Sequence, residues 1–69
     1  MEKTIEIKDD FIRLEQAIKL ASLVDSGGFA KVLIQDGQVI VNGEVEYRRG
    51  KKLVAGDWFS LDDTKVFIK

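Results

Sequence analysis

The stretch Ser26-Gly27-Gly28-Phe29-Ala30-Lys31-Val32-Leu33-Ile34-Gln35-Asp36-Gly37-Gln38-Val39-Ile40-Val41-Asn42-Gly43 decides the fold. Ser26 carries a short side-chain oxygen of the kind that accepts from the unpaired amides of a first helical turn. After it, Ala30, Leu33 and Ile34 recur at three- and four-residue steps on one face, while Phe29, Lys31, Val32 and Gln35 point elsewhere. Gly37 stands where a helix commonly ends in the left-handed region. Val39-Ile40-Val41 then reads as a short strand. Asn42-Gly43 is the strongest two-residue hairpin signal available, because both residues tolerate the positive φ of a type I′ turn.

Upstream, Thr4-Ile5-Glu6-Ile7-Lys8 alternates polar and apolar residues, which predicts a strand. Asp9 or Asp10 is placed to cap a helix over Phe11–Leu23. Its apolar face would be Phe11, Leu14, Ile18 and Ala21, with Arg13, Glu15, Gln16 and Lys19 toward water. Two short helices joined by a few residues should form an angled pair. Downstream, the return strand of the hairpin would be Glu44–Tyr47. Simple two-residue pairing sets Val39 and Val41 opposite Glu46 and Glu44, so the buried face and the register stay open. Ala55-Gly56-Asp57 turns the chain into Trp58–Leu61, where alternation buries at least one of Trp58 and Phe59. Asp62-Asp63-Thr64 turns it again into a final strand, Lys65–Lys69. With no proline, repeat or linker in view, residues 1–69 are expected to form one domain of the α+β class, helices on a small, mainly antiparallel β-sheet.

The chain has 69 residues and neither cysteine nor histidine. Disulfides, thiolate metal sites, the commonest metal ligand and the commonest general base are thereby excluded. The acidic pairs Asp9-Asp10 and Asp62-Asp63 fall at caps and turns, where neighbouring carboxylates diverge. No catalytic residue, metal or cofactor is therefore expected, and the chain is not read as an enzyme. No apolar run approaches the ~20 residues of a membrane span, and no signal-peptide pattern opens the sequence. A cytoplasmic location without a membrane partner is the expectation.

Net charge is −1, but its distribution is uneven. Glu2, Glu6, Asp9 and Asp10 crowd the start, whereas Arg48-Arg49-Gly50-Lys51-Lys52 places four positive charges in five positions. A helix N-terminus and a cationic turn are both places where phosphates bind. The expectation is that amides at the second helix's opening turn and cations from the following β segment converge on one anion. Plainer readings stand beside it. The basic run also suits a solvated turn or a charged edge strand that resists aggregation. Ser26-Gly27-Gly28 also suits a simple cap with a tight turn. Phe29 and Val32 read either as satellite core or as a contact surface, and Tyr47 either as a stacking residue or as a strand anchor. Neither the GxxxxGK[ST] spacing nor GxGxxG occurs, so nucleotide hydrolysis is not supported.

Leu14, then Ser26-Gly27-x-x-Ala30-x-x-Leu33-Ile34-x-x-Gly37-x-Val39-x-Val41-Asn42-Gly43, then Gly56-Asp57 resembles the RNA-binding domain named after the small-subunit ribosomal protein S-four. Ser26-Gly27-Gly28-x-Ala30-Lys31 and Glu46-x-Arg48-Arg49-x-Lys51-Lys52-Leu53 are similar to its stand-alone bacterial YaaA/YbcJ-like members. The resemblance covers residues 11–57. It implies a helical pair packed on a small sheet, the αL motif, and a non-catalytic module for structured RNA, ribosomal or transfer, in ribosome assembly or translation. The contacts it implies are Ser26, Gly27, Gly28, Lys31, Arg48, Arg49, Lys51 and Lys52, flanked by Arg13 and Lys19; Phe29 and Tyr47 are further flanking candidates from their own chemistry. Phe29 stands where this group usually has a polar residue, and Gly27 where much of the wider family has arginine. Affinity at that helix would then rest on backbone amides and Lys31. The competing reading is a protein-interaction module that docks through Phe29 and Val32.

Overall fold

A computed structural model describes residues 1–69. Its elements are β1 (Glu2–Ile5), β2 (Ile12–Arg13), α1 (Leu14–Leu20), α2 (Gly27–Gln35), β3 (Val39–Val41), β4 (Glu44–Val45), β5 (Lys52–Leu53), β6 (Trp58–Leu61) and β7 (Thr64–Ile68). Five strands form one sheet in the order β1-β7-β6-β3-β4. All its pairings are antiparallel except β1 with β7. β2 and β5 make a separate antiparallel ladder, Ile12 opposite Leu53 and Arg13 opposite Lys52.

Alternation along the strands sends Val39, Val41, Phe59, Leu61, Val66 and Ile68 to the face that the helices cover. There they meet Leu14, Ala17 and Ile18 of α1 and Ala30 and Ile34 of α2 in one buried cluster. Every buried residue is apolar, and no buried side-chain polar atom lacks a partner. The core therefore carries no desolvation penalty for orphaned polar groups. Phe59 is fully buried and Trp58 half-buried, as the alternation requires.

The second helix and its hairpin follow the sequence closely. Ser26 Oγ accepts from the Phe29 amide at 3.3 Å, and Ala30 and Ile34 are buried while Phe29 and Val32 are exposed. Asn42 and Gly43 take φ of 50° and 92°, the paired positive values of a type I′ turn. The register is the simple one, Val41 opposite Glu44, with the Glu46 amide donating to the Val39 carbonyl. The conflict between valine and glutamate faces disappears because β4 is the sheet's edge. Val39 and Val41 lie under the helices, and Glu44 reaches water past the last strand. The Asn42 turn is also lashed to the Gly56-Asp57 turn. Asn42 Nδ2 donates to Asp57 Oδ1 at 3.1 Å, Asn42 Oδ1 accepts from the Trp58 amide at 3.1 Å, and Asp57 Oδ2 accepts from the Val54 amide at 2.8 Å.

Several boundaries differ from the sequence reading. The first helix begins at Leu14, and neither Asp9 nor Asp10 caps it; residues 12–13 are extended and pair with β5 instead. Phe11 consequently lies outside the helix and is 36% exposed, not part of the core. The first strand is Glu2–Ile5, because the parallel ladder with β7 runs from Glu2 opposite Lys65 to Ile5 opposite Ile68. The return strand stops at Val45. Glu46 then turns its carboxylate onto the Arg48 amide and guanidinium, which bends the chain away from the ladder.

Gly37 has φ +81°, and a Cβ there would lie 3.3 Å from Tyr47 Cε1. Tyr47 thus anchors its segment over the end of α2 while its residue stays 61% exposed. Gly37→Ala should cost about 1–2 kcal/mol through left-handed strain and displacement of the Tyr47 ring. Urea unfolding of the two proteins measures this; an unchanged midpoint would show that the backbone there relaxes freely.

Candidate nucleic-acid interface

A seven-residue helix such as α1 leaves most of its amides and carbonyls without intrahelical partners. Arg13 at its N-cap offers no side-chain acceptor. The acceptors come from the basic run instead. The Leu14 amide donates to the Lys51 carbonyl at 2.8 Å and the Glu15 amide to the Arg49 carbonyl at 3.1 Å. Arg13 Nη1 donates to the Gly50 carbonyl at 3.1 Å. The loop's carbonyls are turned inward onto the positive end of α1, and its side chains are left on the outside.

Outside, Arg48, Lys51 and Lys52 wall a recess with Gly50 at its base, and no hydrophobic residue lines it. Arg49, Lys51 and Lys52 form no ion pair; Arg48 does, with Nε 3.0 Å from Glu46 Oε2 and Nη2 3.2 Å from Oε1. This fork presets the guanidinium's orientation and competes with any outside anion for it. The Arg48 hydrogen bonds hold the Glu46 carboxyl below its ordinary range, and the same pair raises Arg48. Lys52 places Nζ 4.7 Å from the Phe11 ring centroid, and the Arg13 guanidinium carbon is 5.5 Å from it.

At the start of α2 the Phe29 amide is taken by Ser26 Oγ and the Ala30 amide by the Ser26 carbonyl. The Gly27 and Gly28 amides, ahead of the first intrahelical bond, face the opening turn. Neither glycine has a positive φ, and a Cβ on Gly27 would meet nothing within 4 Å. The turn itself therefore does not demand glycine at these positions. Lys31 lies one turn on, exposed, and helical side chains lean toward the N-terminus.

Hydrogen bonding gathers Arg13, Arg49, Gly50 and Lys51 at the start of α1, and the cation–π contacts add Lys52 and Phe11. No hydrogen bond or ion pair joins that group to Ser26, Gly27, Gly28 or Lys31 at the start of α2. Tyr47, the residue before the basic run, packs on Gly37 beyond the far end of α2. Each group is thus held by its own set of bonds. Lys19 is exposed on α1 and takes no part in this bonding. Sequence reasoning missed Phe11 as a surface residue, because its spacing to Leu14 imitates a helical core position. It also missed the loop's capping of α1, for which carbonyls give no residue-type signal.

Residues 5–69 match the S4 domain family. A Bacillus subtilis (strain 168) protein named "Probable ribosome maturation protein RlbA" is 44% identical over 62 residues, 90% of this chain and 87% of that protein. The Escherichia coli (strain K12) "Putative RNA-binding protein YbcJ" is 42% identical over 61 residues, 88% of this chain and 87% of that one. The chain belongs to the S4 domain family.

The Glu46–Arg48 pair carries a signed pH dependence. A depressed carboxylate contributes stability above its ordinary pKa and loses it as pH falls through the lowered value. Glu46→Gln should be less stable than the parent near neutral pH, and the gap should close on acidification below the lowered value. Urea unfolding over a pH series reads this; a gap independent of pH would mean the pair contributes nothing.

Proposed function

We propose that this chain is a non-catalytic RNA-binding module that holds structured RNA, ribosomal RNA in particular, and acts in ribosome assembly or translation in the cytoplasm. Arg48, Arg49, Lys51 and Lys52 supply phosphate contacts from the basic loop. Ser26, Gly27, Gly28 and Lys31 supply a second point of contact through open amides and one cation, with Arg13, Lys19, Phe29 and Tyr47 flanking. Both groups contact the phosphate backbone of one RNA. The observation that carries the reading is the cationic recess whose main chain is fastened to the first turn of α1. A loop with a fastened main chain presents its charges with less ordering cost at the moment of binding. Membership of the S4 domain family supports it, as do the names of the relatives, one a ribosome maturation protein and one an RNA-binding protein. Backbone contact of this kind positions RNA by shape, with little base readout.

Arg49→Ala/Lys51→Ala should lower affinity for a structured ribosomal RNA fragment and reduce the log–log salt slope by about two, while thermal unfolding is unchanged. Fluorescence anisotropy over a salt series measures the slope. A slope equal to that of the parent would remove the loop from the interface.

A second reading rests on Phe29 and Val32, which are 53% and 57% exposed on one stretch of α2. They would dock on a protein partner through an apolar contact. Association by this route should survive nuclease treatment and high salt in pull-down and be lost in Phe29→Ser; loss on nuclease treatment alone rejects it.

A further inference from the structure

Beside the basic loop lies a groove that phosphate contact leaves unused. Its floor is apolar, built from Ile7, Phe11, Ile12 and Leu20, and Gln16 and Lys19 wall it from α1. Its volume is about 570 Å³, within the ~300–1,000 Å³ typical of sites for small ligands. Leu20 at the groove is 56% exposed, so its side chain is open to a ligand.

Phe11 joins this groove to the loop. Its ring lines the groove and also carries Lys52 and Arg13 within cation–π range. Arg13 and Lys52 stand opposite each other in the β2–β5 ladder, and Arg13 is bonded to the Gly50 carbonyl. An aromatic ring flanked by arginine and lysine at the mouth of an apolar groove suits an unstacked base. The base stacks on the ring in exchange for a cation–π contact, and the displaced cation turns to the adjoining phosphates.

Charge selects among occupants. Lys8 and Lys19 at the groove, with Arg13 and Lys52 at its mouth, outnumber Glu6 and Asp9. An aliphatic peptide would satisfy the floor and leave the cations unanswered. A nucleotide answers both, and Glu6 and Asp9 are acceptors for the exocyclic amino group of adenine, cytosine or guanine.

We propose that the groove between residues 6–12 and α1 receives one unpaired nucleobase, with Phe11 as the stacking residue. This rests on the RNA-binding reading and adds to it a base-contact subsite that the basic loop alone does not provide.

The test uses the full chain and two RNA hairpins, one with a single extruded adenosine and one with an abasic site at that position. The parent should bind the adenosine hairpin about tenfold more tightly, the scale of one base–aromatic stack. Phe11→Leu keeps an apolar side chain and removes the ring, so it should bind both hairpins equally, at the weaker level, with an unaltered circular dichroism spectrum. Equal binding of the two hairpins by the parent overturns the groove proposal and leaves the RNA reading standing. Binding of neither hairpin at low salt overturns both. Methyl resonances give a second readout that does not depend on the variant. Adenosine 5′-monophosphate should shift Ile7, Ile12 and Leu20, and inorganic phosphate should not; shifts with neither probe also overturn the proposal.

Discussion

The carbonyls of the basic loop cap the first helix, and the rest of the surface depends on that bond set. A helix as short as α1 has little stability of its own, and its N-cap residue supplies no acceptor. A loop with four cations in five positions would, unfastened, spread apart under its own repulsion. Each supplies what the other lacks: the Lys51 and Arg49 carbonyls satisfy the Leu14 and Glu15 amides, and α1 in return fixes the loop's backbone. The β2–β5 ladder and the Arg13–Gly50 hydrogen bond close the same junction from the side.

That arrangement gives a chain of net charge −1 a locally positive face. Glu46 is the sole carboxylate within ion-pair reach of any lysine or arginine. Of the loop's remaining cations, Lys52 lies over the Phe11 ring, and Lys51 acts on Glu46 only through its field. Such a surface attracts anions at short range and steers them weakly from afar, because the summed field is slightly negative and the Debye length in the cell is about 8 Å. Shape and local contact must then select the partner, which suits a folded RNA better than an indiscriminate polyanion.

Local signals told the truth wherever local physics decided the outcome. Ser26 caps, Gly37 is left-handed, Asn42-Gly43 forms the primed turn, and Ala30 and Ile34 face inward because each follows from the residue's own conformational or hydrogen-bonding preference. The misses share a tertiary cause. Asp9 and Asp10 had the chemistry of a cap, but the acceptors that α1 uses lie more than thirty residues away and belong to the main chain. Phe11 had the right spacing for the helix face, but pairing with β5 keeps the next two residues, Ile12 and Arg13, extended. The basic run was legible as charge. Its fastening to α1, and the pairing of Arg48 with Glu46, required the fold. The groove by Phe11 was hidden for the same reason, since sequence had placed Phe11 and Ile12 in the first helix and residues 6–8 in a strand.

The most direct test of the central claim is a backbone amide map of the chain titrated with a structured ribosomal RNA fragment, read by two-dimensional nuclear magnetic resonance. The account predicts the largest shifts at residues 48–52 and at the Leu14 and Glu15 amides bonded to them, with a second group at residues 26–31. Shifts confined to the outer sheet face around Trp58 and Phe67, with residues 48–52 unmoved, would contradict it.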